Sequence, residues 1–499
     1  MRAINPMMWR LAMPMSVLLL ACGDAGTTSD STSNSGSTGQ PSTTVDPTTS
    51  PTSGTPTTSV SATATDSGTT AGSDSNSSAS SGSSDPTTAG STTNSSAATT
   101  TTDPGTTDPG TSSTSGVSAS SGGDESSTGK VICEPGDGMG MGMVEKSFIW
   151  IPSQDLSDVA KVNTQTMVLV ARYKIGAGGD SPSRTSVSGD GRFVVVNSRQ
   201  TGRSTMVAAN VEDCLDKNNN GMIETSQGPN NVLAWGTDEC ILWDKQWPFA
   251  GGFAAGPRGT TWTPGTWDYD QCKYVDPKVW IGYSAPGGVA HFARVAVDGT
   301  VEETINVPNW SGQGYSPYGG ALDPEFRPWF AGLRGEFIRI NTDQNPITVD
   351  RFTPPGNTQG YGFTVDPDGN PWFAGCGGAV STYNTETMQY TSIAGTNACH
   401  RGIAADEKYV WAAANGPCGL VQIDRATKTL IKLHNTAPCS TAIGVSIDAE
   451  KFVWLVDQEG WAWKIDPENV PAMKQVMVPG SHYVYSDMTG GQLNSILPQ

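Results

Sequence analysis

YGFTVDPDGNPWFAG, residues 361–375, decides the fold. A short run of small and apolar residues leads to Asp366, a Pro/Asp/Gly/Asn turn follows, and a second apolar run carries Trp372. The pattern returns as YGGALDPEFRPWFAG (318–332), RGIAADEKYVWAAA (401–414) and IGVSIDAEKFVWLVD (443–457), so Trp329, Trp372, Trp411 and Trp454 recur about every forty residues. Each copy continues into further short apolar runs, such as EFIRIN (336–341), GLVQID (419–424), WAWKID (461–466) and TLIKLH (429–434). Four short strands per period with turn residues at fixed offsets describe a propeller blade.

Weaker copies extend the series toward the N-terminus. SVSGDGRFVVVNS (186–198) keeps the turn and second strand without Trp, and the copy around Trp280 is split by an insertion between Gly256 and Lys278. FIWIPSQ (148–154), SDVAKVN (157–163) and VLVARYKI (168–175) read as a second, third and fourth strand lacking a first, which YSDMTGGQL (485–493) is expected to supply. Counting from Trp150 gives an all-β, seven-bladed β-propeller over residues 130–499, closed so that no sheet edge is left open. The repeated Trp is expected to pack between blades, and Asp323, Asp366, Asp406 and Asp448 to close turns through Asx-type hydrogen bonds.

What precedes the propeller is of a different kind. The whole chain has 499 residues, 29 Lys+Arg against 48 Asp+Glu and a net charge of −19. It has no basic run of the kind a phosphate backbone requires, which argues against nucleic acid. Residues 1–21 read as a signal peptide, with Arg2 and Arg10 ahead of a short apolar stretch, Leu11 to Ala21, that is interrupted by Pro14 and too brief to span a bilayer. Leu19-Leu20-Ala21-Cys22 resembles the bacterial lipobox, in which the cysteine becomes the lipidated first residue of the mature chain. Residues 22–129, almost entirely Ser, Thr, Gly, Pro, Ala and Asp, cannot bury enough apolar surface to offset ordering and read as a disordered tether. Such a tether would span about 50–60 Å. The expected setting is the bacterial cell envelope, with the membrane as a partner through lipid on Cys22 and a monomeric head facing periplasm or exterior.

Eight cysteines beyond Cys22 suit an oxidising compartment: Cys133, Cys214, Cys240, Cys272, Cys376, Cys399, Cys418 and Cys439. None forms a CxxC motif. Repeat symmetry favours the pairs Cys376–Cys399 and Cys418–Cys439, while Cys214 and Cys240 flank an insertion at 212–242 and are expected to staple it. Within that insertion Asp216, Asn218, Asn220 and Glu224 place oxygen side chains around Gly221 as in the start of an EF-hand or dockerin calcium loop. Gln227 stands where a bidentate acid belongs, and Asp213 or Glu224 could complete the set. The stretch 216–227 reads equally as an Asn/Gly-rich turn. GMGMGM (138–143) reads as a connector.

The repeating unit resembles the virginiamycin B lyase (streptogramin lyase) family and NHL-type propellers over about residues 145–499. That resemblance implies a histidine base at the entrance to a first strand and a nearby divalent metal, magnesium, assisting elimination from a cyclic ester. Cys399-His400-Arg401-Gly402-Ile403 is the matching context, so His400 is the candidate base, or else a rim histidine hydrogen-bonded in a loop. The family's acid after the Trp strand is missing from most blades; Asp457 alone fits. Propeller topology brings Tyr318, Tyr361, His400, Arg401 and Asp457 toward one channel mouth, a set suited to an anionic, aromatic or sugar-like ligand. The expected function is a lipid-anchored binding head for an unknown small molecule, glycan or envelope protein. A carbon–oxygen lyase is the alternative, and a purely structural envelope protein the third reading.

Overall fold

The computed structural model describes residues 147–355 and 358–496. The signal peptide, Cys22, the tether, Cys133 and the Met-rich stretch lie outside the described residues.

Seven antiparallel sheets follow one another along the chain. Blade 1 contains Phe148–Ser153, Asp158–Asn163 and Leu169–Lys174. Blades 2 to 7 each have four strands, the innermost being Pro182–Val187, Thr260–Thr263, Gly319–Leu322, Gly362–Val365, His400–Ala405 and Ala442–Ile447. The interruption before Trp280 is a hairpin, Thr266–Asp268 with Lys273–Val275, between the first two strands of blade 3. The 212–242 insertion lies between the third and fourth strands of blade 2.

Each tryptophan packs toward the following blade. Trp372 lies in a core with Ile403 and Val410 of blade 6, Trp411 with Val445 and Val453 of blade 7, and Trp454 with Ile149 and Ile151 of blade 1. The hydrophobic core is therefore distributed as slabs between sheets, as stacked repeats require.

The turn aspartates do more than the Asx role expected. In Asp366, Oδ1 accepts the backbone amides of Asp368 and Asn370, while Oδ2 accepts the Trp372 indole at 2.8 Å. Asp323–Trp329 and Asp448–Trp454 repeat the tie at 2.9 and 2.8 Å. In blade 6 the spacing is one residue shorter, and the Asp406–Trp411 bond lengthens to 3.3 Å. Blades 1 and 3 have no such aspartate, and the Trp150 and Trp280 indole nitrogens have no partner.

The C-terminus closes the ring, though less regularly than expected. The Trp150 amide donates to Met488 O (2.9 Å) and the Gln154 amide to Ser481 O (2.8 Å), while Ser153 bridges His482. The first strand expected at 485–493 does not form: blade 1 keeps three strands, the C-terminal segment pairs with it only through isolated contacts, and helix α1, Gly491–Ile496, follows. Gly490 has φ +80°, a left-handed turn that glycine enters without strain, and directs the chain across the channel. Leu493 and Ile496 then bury against Phe193, Trp262 and Leu322, and Gln492 Nε2 donates to Thr364 Oγ1 (3.2 Å). This closes the channel at the end where the innermost strands finish.

Candidate functional site

At the other end, one residue per blade stands at or just before the start of the innermost strand or, in blade 1, on the C-terminal segment that takes that strand's place. These are Tyr485, Arg184, Arg258, Tyr318, Tyr361, Arg401 and Ile443 in ring order, and in five of them glycine follows. That glycine is required by crowding. A Cβ on Gly362 would sit 2.0 Å from Arg401 O, on Gly402 2.6 Å from Val445 N, and on Gly319 2.5 Å from the Phe363 Cβ. The innermost strands thus meet closely around a narrow channel, and the residue before each glycine is forced into the mouth.

The arginines there are held by aromatic faces. Arg184, 1% exposed, stacks on Tyr485 (4.2 Å to the ring centroid) and Tyr318 (4.8 Å). Its Nε donates to Tyr318 O and Nη1 to Ser183 O, while Nη2 has no partner. Arg258 is fully buried. Its Nη1 donates to Ser316 Oγ (3.0 Å) and Gly256 O (3.3 Å), Nη2 donates to Phe253 O, and Nε has no partner. Burial, with Arg199 and Arg184 nearby, holds the Arg258 pKa below its ordinary value. Arg401 donates from Nη1 to Tyr485 Oη (2.8 Å). Asn415, its amide oriented to satisfy both neighbours, accepts from Arg401 Nε at 2.9 Å and donates to Ala442 O at 2.6 Å. Burial pulls the Arg401 pKa down, but the Tyr485, Tyr483 and Tyr361 oxygens outweigh it and the net shift is upward.

Tyr318, Tyr361 and Tyr485 complete the ring. Tyr361 lies edge-on to Tyr318 and to Tyr485, with centroids 5.6 Å apart in each pair, and Tyr318 Oη is 3.2 Å from Tyr483 Oη. Among the described residues, no ion pair joins Arg184, Arg258 or Arg401 to a carboxylate.

Of the expected site residues, Tyr318, Tyr361 and Arg401 meet in this ring. His400 is 1% exposed; its amide donates to Gly375 O (3.0 Å) and its Nδ1 has no partner. Burial lowers its pKa, which keeps the imidazole neutral at pH 7. Asp457 is occupied elsewhere, accepting the amides of Ser440 (3.0 Å) and Thr441 (2.7 Å) beside Cys418 and Cys439. Those two sulfurs are joined in a disulfide, so the trio does not offer thiolates to a metal. Arg184, Arg258 and Tyr485 were missed by sequence reasoning, which followed the strong Trp copies. The signal that finds Arg258 is its place before a glycine, shared by five of the seven blade entrances; Arg184 and Tyr485 lack it.

Disulfides join Cys214–Cys240, Cys376–Cys399 and Cys418–Cys439, and Cys272 is disulfide-bonded as well. They place the propeller in an oxidising, non-cytoplasmic compartment. No helix among the described residues is long and apolar enough to cross a membrane. The loop at 216–227 does gather its oxygens. Asp216 accepts the Asn220 (3.2 Å) and Gly221 (2.8 Å) amides, and Glu224 accepts both the Asn218 (2.9 Å) and Asn220 (2.6 Å) side-chain amides. The buried Glu239 accepts the amides of Lys217, Asn218 and Glu224 and holds the loop from beneath. Both asparagines present nitrogen to Glu224, so a cation there requires their amides to turn.

No protein family model matches the sequence, and no curated protein matches it. Solved structures similar in fold include AztD from Citrobacter koseri (12% identity, 68% of this chain and 97% of that chain, TM-score 0.42). Also similar are a functionally unknown protein from Desulfotomaculum acetoxidans (14%, 68% and 98%, TM-score 0.45) and a putative 6-phosphogluconolactonase from Bacteroides uniformis (13%, 69% and 98%, TM-score 0.45). The likeness to streptogramin lyases therefore rests on the repeat alone.

Proposed function

We propose that this protein is a lipid-anchored, extracytoplasmic propeller that binds a ligand at its channel mouth. The observation that carries this reading is the ring of Arg184, Arg258, Arg401, Tyr318, Tyr361 and Tyr485 at one end of a channel whose other end is closed by α1. Polar groups converging at one end of a rigid scaffold suit recognition. The cavity above α1, beside Asp487 and Gln492, has room of only about 20 Å³, enough for one water, so the mouth rather than the floor takes the ligand. Calcium at the 216–227 loop belongs to the same reading as a peripheral, structural ion. The test is a thermal-shift screen of the full chain against anionic, aromatic and sugar compounds. At least one should raise the melting temperature of the parent but not of Tyr361→Ala; a screen with no such compound overturns the reading.

Elimination chemistry with His400 as base has one observation in its favour, the neutral imidazole with an unpartnered Nδ1. Against it, three guanidiniums at the mouth repel the magnesium that such chemistry needs. Incubation with a streptogramin B-type cyclic depsipeptide and magnesium decides it: ring-opened product absent from His400→Ala establishes the lyase, and intact substrate dismisses it.

A further inference from the structure

We propose that the mouth is an oxyanion site and that its ligand carries a compact group with at least two negative charges, of phosphate or sulfate type. The inference rests on the binding reading above and names the chemical class it takes.

Taking a charge out of water costs several kcal/mol unless a counter-charge replaces the lost hydration. Arg184 and Arg258 are buried, Arg401 is half-buried, and among the described residues none has a carboxylate partner. Elsewhere in the propeller, arginines that are half-buried as Arg401 is do have one. Arg172 pairs with Asp158, Arg327 with Asp323 and Arg425 with Asp368. Half-buried arginines away from the mouth thus have carboxylates, and the half-buried and buried arginines of the mouth ring have none among the described residues.

The geometry favours an oxyanion over another counter-ion. Tyr485 and Tyr318 cover the faces of the Arg184 guanidinium, which fixes its plane and leaves the in-plane Nη2 donor unmatched. Arg258 keeps an unmatched Nε in the same ring. In-plane guanidinium edges match tetrahedral oxyanions, and a cluster of them prefers charge greater than one. The hydroxyls of Tyr318 and Tyr485 add neutral donors. A single carboxylate would leave most of the charge uncompensated.

Two glycine-containing loops stand over Arg258. Residues 250–256 (AGGFAAG) give it the Phe253 and Gly256 carbonyls, and 311–317 (SGQGYSP) the Ser316 hydroxyl. The loops also bond to each other, with the Ser316 amide donating to Ala254 O at 2.8 Å. These contacts must part for an anion to reach Arg258.

The experiment is isothermal titration of the full-length protein with inorganic phosphate, sulfate, glycerol 3-phosphate and glucose. The expected result is binding of phosphate or sulfate, weakened at least about tenfold in Arg401→Gln and severalfold in Tyr485→Phe. Arg294→Gln, on an outer strand, should bind as the parent does. Tighter binding of glycerol 3-phosphate than of phosphate assigns the group to an ester; the reverse order assigns it to the free anion. Tyr485→Phe removes only a hydroxyl and keeps the test open should Arg401→Gln fail to fold. Equal binding by parent and both variants overturns the proposal, as does the absence of binding by all three anions. In the latter case, glucose or a screening hit whose binding is lost in Tyr361→Ala leaves the mouth reading standing without the oxyanion class.

Discussion

The two ends of the channel handle buried charge in opposite ways. At the floor and its adjoining turns the charges are carboxylates, and each is met by the chain itself. Asp323, Asp366 and Asp448 accept backbone amides and an indole, and Asp487 Oδ1 accepts the amides of Thr489 (3.1 Å) and Gly490 (3.0 Å). At the mouth the charges are guanidiniums, packed on tyrosine rings and given no carboxylate. The carboxylates of the floor are hydrogen-bonded within the fold; the guanidiniums of the mouth, on the reading proposed above, are left for a ligand. The lesson is practical, because the two kinds of residue should respond to mutation with opposite signs.

The largest effect removes both ends together. Deleting residues 485–499 takes away Tyr485, the Met488 pairing with Trp150, and α1. The head should lose cooperative unfolding and near-UV circular dichroism altogether; an unchanged melting temperature would refute closure by the C-terminus. Next comes the floor alone. Asp366→Ala strands the buried Trp372 indole and two amides, at a cost of about 1–3 kcal/mol for an unsatisfied group. Urea denaturation should show that loss while phosphate binding stays as in the parent.

Asp487 sharpens the comparison through pH. Burial raises its pKa from 3.8 to about 6 in the fold, so the folded state holds the proton more tightly than the unfolded chain. The stabilisation from that proton is fully present below about pH 4 and is lost as pH rises through about 6. Replacing the group by a neutral amide should remove this dependence. Asp487→Asn is expected to flatten the stability profile across that window relative to the parent, by no more than about 3 kcal/mol. Parallel profiles for the two proteins would show that Asp487 does not titrate there.

The repeat was legible because its signals are local: an aspartate, a turn and a tryptophan at fixed spacing specify one blade wherever they recur. The same locality explains what was read only in part. Tyr318, Tyr361 and Arg401 stand in strong copies and were visible, whereas Arg184 and Arg258 enter blades whose copies lack Trp or are split by the hairpin. Tyr485 sits in a segment whose strand-like pattern gives way to α1, because Gly490 turns the chain and Leu493 and Ile496 find an apolar floor that no local pattern announces. The Asp–Trp tie was half visible: the spacing stands in the sequence, but the indole bond appears only when the turn is folded. His400 and Asp457 were drawn toward the mouth by their positions in the repeat, yet Asp457 caps its own loop.

The smallest expected effect lies away from the channel. Calcium at the 216–227 loop should give measurable heat on titration that Asp216→Ala abolishes, and should leave phosphate binding unchanged. No heat in the parent would reduce the loop to an Asn/Gly-rich turn stapled by Cys214–Cys240.

The most direct measurement is the thermal unfolding of Arg184→Met with and without phosphate. Met fills a similar volume and removes a buried charge that has no carboxylate partner, a change that is neutral or stabilising when the charge serves no internal pair. The ligand-free variant should therefore melt at or above the parent, and phosphate should stabilise the parent but not the variant. A variant that melts well below the parent in the absence of any anion would show that Arg184 is held for its stacking on Tyr318 and Tyr485, and would contradict the division between the two ends of the channel.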